Sequence, residues 1–122
     1  MIAAGLGFRR SATFASLFDA YEKASGLALP DCLATASDKA ETSAFQALAQ
    51  ATSLPIAQIT NASIQAQSTA TQSEASSAAR QTGSVAEAAA LAAAGPGARL
   101  LGPRVVSDDG FATCALAERT AR

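Results

Sequence analysis

Gly83-Ser84-Val85-Ala86-Glu87-Ala88-Ala89-Ala90-Leu91 is the stretch on which the reading of this chain turns. A long polar run without periodicity precedes it, and the last strand-like segments follow it. Ser84 and Glu87 have capping-box spacing: the Ser84 hydroxyl accepts from the Glu87 backbone N–H, and the Glu87 carboxylate reaches back to the Ser84 N–H. The pattern predicts a helix starting here, with a cap worth about 1 kcal/mol. Small side chains fill its first turns, so a backbone, a sheet or a ligand can come close. Two readings fit these residues: a plain helix start, or a helix N-terminus whose free N–H groups and positive dipole end face an anionic group.

Upstream, strands alternate with helices. Ile2 to Leu6 is apolar and runs into Gly5-Leu6-Gly7, then Phe8-Arg9-Arg10-Ser11. Phe14, Leu17, Phe18 and Tyr21 recur at helical spacing, and Gly26 marks a stop. The strand, glycine turn and helix invite a phosphate-loop reading, yet a GxGxxG would need Gly where Arg10 stands, and no GxxxxGK[ST] occurs. Leu29 to Ala36 reads as the second strand. Ser37 or Asp38 then caps a second helix, with Glu41 in its first turn and Phe45 and Leu48 on its buried stripe. Leu54 to Ile59 is the third strand. Strand–helix–strand units join by right-handed crossovers, which makes these strands parallel. The turns after them, at Gly7–Ser11, Thr35–Glu41 and Thr60 onward, then share the carboxyl edge of the sheet, where ligands of such sheets bind.

Residues 61–82 are rich in Ser, Thr, Gln and Ala and read as a mobile polar loop, with a helical turn near Ala62–Gln65 and another near Glu74–Arg80. Loops of this length often act as lids, and Thr69, Ser73 and Arg80 are its ligand-contact candidates. Beyond the Ser84 helix, Gly95-Pro96-Gly97 is a stop. Arg99-Leu100-Leu101 and Arg104-Val105-Val106 are strand pieces parted by Gly102-Pro103, which suits an edge. Asp108-Asp109-Gly110 signals a hairpin into a last strand from Phe111 to Ala117, so the sheet is mixed.

Composition narrows the function. The chain has 122 residues, 49% of them hydrophobic, which suits one domain over residues 1–122 that buries roughly two-thirds of its unfolded surface. Nine basic and ten acidic residues give a net charge of −1, which argues against nucleic acid as a partner. With no histidine, a Ser-His-Asp triad is impossible and the commonest metal ligand is missing; no metal or cofactor is expected. Cys32 and Cys114 lie in separate apolar runs and read as buried free thiols. No apolar window is long enough to span a membrane, and the first apolar residues precede the arginines, unlike a secretory signal; a soluble cytoplasmic protein is the expectation.

In this order and spacing, the Gly5-x-Gly7/Arg9-Arg10-Ser11 opening, Leu33-Ala34-Thr35-Ala36-Ser37-Asp38-Lys39-Ala40-Glu41, Thr82-Gly83-Ser84-Val85-Ala86-Glu87-Ala88-Ala89-Ala90-Leu91 and the hairpin into Phe111-Ala112-Thr113-Cys114-Ala115-Leu116-Ala117 resemble the CobE / CbiG C-terminal domain family of cobalamin (vitamin B12) biosynthesis. The resemblance spans nearly the whole chain. It implies a three-layer α/β/α domain with a mixed sheet, parallel strands first and a C-terminal β-hairpin, and a part in building the corrin ring. Longer CbiG relatives open the lactone of cobalt-precorrin-5A and release acetaldehyde; this chain is similar only to their C-terminal portion. Short stand-alone members look like accessory proteins of the aerobic route, working beside other cobalamin-biosynthesis enzymes.

A precorrin-type intermediate is a broad apolar macrocycle fringed with carboxylates, so its binder needs cations and N–H donors at a rim. Gly7, Phe8, Arg9, Arg10, Ser11, Thr35, Ser37, Lys39, Gly83, Ser84, Val85 and Glu87 are the expected binding residues, with Gly5 leaving room for the ring. Lactone hydrolysis would instead need a base or nucleophile, for which Lys39 and Asp38 are the leading candidates, followed by Glu41, Glu87 and the hydroxyls. A small phosphate- or nucleotide-binding domain is the third reading and rests on the glycine turn alone.

Overall fold

The computed structural model describes residues 2–26, 28–60, 62–64, 82–95, 97–101 and 104–119, with backbone only at 82–84. The strands β1 (Ile2–Phe8), β2 (Cys32–Ala36), β3 (Ile56–Ile59), β4 (Arg99–Leu100), β5 (Val105–Val106) and β6 (Ala112–Glu118) form one sheet of order β3-β2-β1-β6-β4, with β5 also on β6. The helices are α1 (Phe14–Ser25), α2 (Ser43–Thr52) and α3 (Thr82–Ala94).

Strands β1, β2 and β3 pair in parallel, with Ala3 opposite Cys32 and Leu33 opposite Ile56. Strand β6 runs antiparallel to β1 along its whole length, from Ile2–Glu118 to Phe8–Ala112. The expected mixed sheet is therefore present, and so is the hairpin: Gly110 at φ +77° lets its N–H return to the Ser107 carbonyl at 2.9 Å between β5 and β6. The two short pieces β4 and β5 both lie on the outer side of β6, the edge position anticipated from Gly102-Pro103; those two residues lie outside the described set.

Alternation along the strands gives the sheet two unlike faces. Ala4, Leu6, Phe8, Leu33, Cys114 and Leu116 point to one side and pack with Leu17, Phe45 and Leu48 of α1 and α2. On the other side lie Ala3, Gly5, Cys32, Ala34, Ala36 and Ala117, under the alanines of α3. Handedness explains the split. The β1-to-β2 and β2-to-β3 crossovers step the same way across the sheet, so right-handedness places both helices on one face; the return past β1 to β4 steps the opposite way, so its helix lies on the other.

Gly5 is where α3 meets the sheet. A Cβ there would overlap the Ala86 carbonyl oxygen and come within 2.5 Å of the Ala90 nitrogen. The room that the sequence offered at Gly5 is thus filled by the helix and not by a ligand. Gly5 and Gly7 also lie inside β1 rather than in a loop, so the glycine turn of a phosphate cradle is not formed.

Two helix starts differ from the expectation. Ser37 to Glu41 do not begin α2; Lys39 N–H reaches the Ala36 carbonyl at 2.8 Å and Thr42 N–H the Lys39 carbonyl at 3.1 Å, making successive turns before the helix opens at Ser43. A tertiary contact of the Lys39 side chain, described below, outweighs the local cap. Helix α3 begins at Thr82, so Ser84 sits within its first turn; the Ser84 side chain lies outside the described set, and the Glu87 carboxylate stands 3.7 Å from Arg104 Nη1. A reciprocal box does form on α1: Thr13 Oγ1 accepts from Ser16 N–H at 3.3 Å and Ser16 Oγ from Thr13 N–H at 3.2 Å. Of the polar stretch 61–82, residues 62–64 are helical and Ile64 is buried; Thr69, Ser73, Arg80 and the proposed mobility lie outside the described residues.

Polar bonds lace α1 to the hairpin. Ser16 Oγ and Ser107 Oγ each donate to Asp109 at 2.5 Å, and Phe111 N–H adds a third bond at 3.0 Å. Lys23 bridges Asp108 at 2.7 Å and the Val106 carbonyl at 3.0 Å. The donation from Ser107, Ser16 and Phe111 holds the Asp109 carboxyl down at about 2. An unfolded Asp titrates near 3.9, so between those values the unfolded chain binds more protons and stability rises with pH.

Two outcomes follow. Gly5→Ala lowers the unfolding free energy by about 3 kcal/mol, the upper end of overpacking costs, because backbone atoms and not a flexible side chain stand in the way; urea titration measures it. In wild type, stability falls as pH drops from about 4 toward 2, and Asp109→Asn flattens that slope; an unchanged slope in acid-unfolding curves would show that the clasp contributes nothing.

Candidate functional site

The direction in which the chain winds through the sheet reverses at β1, and such reversals open a crevice beyond the carboxyl ends of the strands. Five segments meet at that margin. From β1 come Gly7 and Phe8, then Arg9-Arg10-Ser11, whose side chains are exposed. Ala12 N–H closes this turn on the Arg9 carbonyl at 3.0 Å, and Arg9 N–H donates to the Phe111 carbonyl at 2.9 Å, which brings in the hairpin as a second segment. From β2 come Thr35 and Ala36, then Ser37-Asp38-Lys39; Ser37 N–H donates to the Ile59 carbonyl at 2.8 Å, drawing in the end of β3. The fifth is the first turn of α3, placed there by the packing of Val85, Ala88 and Ala89 over Ala34, Ala36, Ile59 and Ile64.

Two members of the set, buried Thr35 and half-buried Lys39, have internal partners. Thr35 is fully buried and its hydroxyl donates to the Leu6 carbonyl at 2.8 Å. Lys39 Nζ donates to the Phe8 carbonyl at 2.6 Å and stands 5.1 Å from the centre of the Phe8 ring, a cation–π contact. Phe8 stacks in turn on Phe45, with centroids 6.0 Å apart. Ser37 is half-buried and Asp38 exposed. Gly83 and Ser84 are backbone positions in the first turn of α3, and Val85 follows them half-buried.

The family description "Cobalamin synthesis G C-terminus" matches residues 2–117. The chain belongs to this family. Crystal structures of two cobalamin-pathway proteins share the fold. The cobalamin biosynthesis protein chiG from Agrobacterium tumefaciens is 34% identical, with a TM-score of 0.79 over 99% of this chain and 100% of that one. CobE, a protein from the cobalamin biosynthetic pathway, is 33% identical, with a TM-score of 0.80 over 100% of this chain and 92% of that one. No curated protein matches. Membership gives the chain a role in cobalamin biosynthesis. Among the described residues, no helix is long and apolar enough to cross a membrane.

Within this cobalamin-synthesis domain, the expected residues from Gly7 to Ser11, Thr35, Ser37, Lys39 and Gly83 to Val85 share one margin, while the Glu87 carboxylate is engaged by Arg104. Sequence reading missed two features beside them. Phe14 belongs to the helical stripe of α1 yet is 38% exposed, its ring stacked on Phe18 at 5.5 Å; its place as the first helical residue, right after the arginine turn, was the signal. Asp109 read only as a hairpin residue, although it holds the N-terminal turn of α1 through Ser16.

Thr35→Val tests the internal role of the Thr35 hydroxyl. Loss of one neutral hydrogen bond lowers stability by about 1 kcal/mol, read by urea titration; unchanged stability would show that the bond contributes nothing.

Proposed function

We propose that this domain binds a carboxylate-rich, precorrin-type intermediate at the carboxyl margin of β1 and β2 and presents it to other cobalamin-biosynthesis enzymes without itself catalysing a step. The observation that carries the reading is the placement of two adjacent exposed arginines, Arg9 and Arg10, at the point where the winding of the sheet reverses. Arginine holds carboxylates bidentately, and the macrocycle offers several on its fringe. Ser11 and Ser37 add hydroxyl donors, and backbone N–H groups of Gly83, Ser84 and Val85 face the same margin from the positive end of α3. Glu87, paired with Arg104, borders the site on its hairpin side.

Lactone opening of cobalt-precorrin-5A is the competing reading of the same margin, with Lys39 and Asp38 as its reacting groups. A donor to the Phe8 carbonyl is a poor nucleophile, which favours binding over hydrolysis. The nucleotide reading has lost its glycine loop, since Gly5 is covered by α3.

Titration with dicyanocobyrinic acid, a corrin with free carboxylates, followed by visible absorbance, tests the proposal. Wild type shifts the spectrum, and the affinity weakens as salt rises. The double change Arg9→Met with Arg10→Met lowers affinity at least about tenfold, or ~1.4 kcal/mol. No spectral shift and no co-elution with any corrin polyacid would sink the binding reading, and acetaldehyde released from cobalt-precorrin-5A would replace the accessory role with an enzymatic one.

A further inference from the structure

We infer that Lys39 is a positioning residue that fixes the Arg9–Ser11 turn and makes no contact with the bound ligand; this deepens the binding proposal above and rests on it for its functional meaning. The argument lies in one peptide unit. The carbonyl of Phe8 and the N–H of Arg9 belong to the same plane and point in opposite directions. Lys39 Nζ grips the oxygen at 2.6 Å, and the Phe111 carbonyl grips the N–H at 2.9 Å. One plane is therefore held from both sides, by the turn after β2 and by the hairpin, and it is the plane from which the arginine turn departs.

The grip is itself anchored. The Lys39 backbone is tied at both ends, N–H to the Ala36 carbonyl at 2.8 Å and carbonyl to Thr42 N–H at 3.1 Å. The ammonium also lies over the Phe8 ring, and that ring, 2% exposed, is pinned against Phe45. A hydrogen bond from a charged donor is among the stronger kind in a protein. Without it, the Phe8–Arg9 plane keeps, among the described residues, the hairpin bond, and the direction of the Arg9 and Arg10 side chains is no longer set by β2.

Trypsin supplies a ligand-free readout, because Arg9 and Arg10 are themselves cleavage sites. In Lys39→Met, which keeps the stem and loses the ammonium, cleavage after Arg9 and Arg10 accelerates roughly tenfold, as the opening of a local segment governs the rate. Cleavage after Arg104 stays at the wild-type rate, and Lys39→Arg restores resistance. Equal acceleration at Arg104, or none at Arg9 and Arg10, would overturn the inference. Should the Met variant fold poorly, Lys39→Gln, a shorter uncharged donor, is expected to cleave at an intermediate rate, and a wild-type rate would likewise overturn it. The salt dependence of dicyanocobyrinic acid binding is the second arm. Lys39→Met weakens affinity but keeps the wild-type salt slope, whereas Arg9→Met reduces that slope. A slope reduced in Lys39→Met as in Arg9→Met would make the lysine a direct contact. Failure of wild type to bind the acid would count against the binding proposal while leaving the trypsin result to decide the positioning role.

Discussion

The approach of α3 to β1 at Gly5 sets the spacing of everything on that side of the sheet. Backbone stands against backbone there: the Ala86 carbonyl and the Ala90 nitrogen occupy the place of an absent side chain. The alanines of the helix and those of β1, β2 and β6 are consequences of this distance, since larger side chains on either layer would force it open. Helix α3 has little apolar bulk to bury, so closeness, through many short dispersion contacts, takes the place of size. The same contact orients the helix, and its first turn is carried to the end of β1 where the arginine turn begins. A margin assembled from distant parts of the chain thus depends on a helix being seated on a glycine.

The opposite layer works by different means. Phe8, Leu17, Phe45, Leu48 and Leu116 fill it with bulk, and its polar ties are at the periphery. Asp109 secures the start of α1, Lys23 secures its later turns to the hairpin, and Lys39 secures the end of β1 to the turn after β2. These ties run between segments far apart in sequence, and each of them ends on a loop at the carboxyl margin. The margin is in this way supported from both layers, by close packing on one side and by hydrogen bonds on the other.

The alternation of strands and helices, the edge character of the segment around Gly102-Pro103, the hairpin at Asp108-Asp109-Gly110 and the buried free thiols Cys32 and Cys114 were legible because each rests on a local pattern or on composition. At Ser37 and Asp38 a good local cap was present, but the chain makes successive turns there, and the Lys39 side chain bonds to the Phe8 carbonyl of a neighbouring strand. Gly5 was read as space and is indeed space; what fills it could not be read from the residues around it. The clustering of the candidate site residues was legible in outline, because parallel strands must end on one side. The internal bonding of Thr35 and Lys39 was not, since it depends on the register of β2 against β1.

The two thiols occupy opposite layers. Cys32 lies beneath α3 with Ala90, Leu91 and Ala94, and Cys114 lies beneath α1, where burial raises its thiol to about 12. Each becomes reactive when its own helix lifts from the sheet. The native chain thus carries two built-in chemical reporters, one per layer, and the order in which they react with a thiol reagent would tell which side of the molecule breathes first.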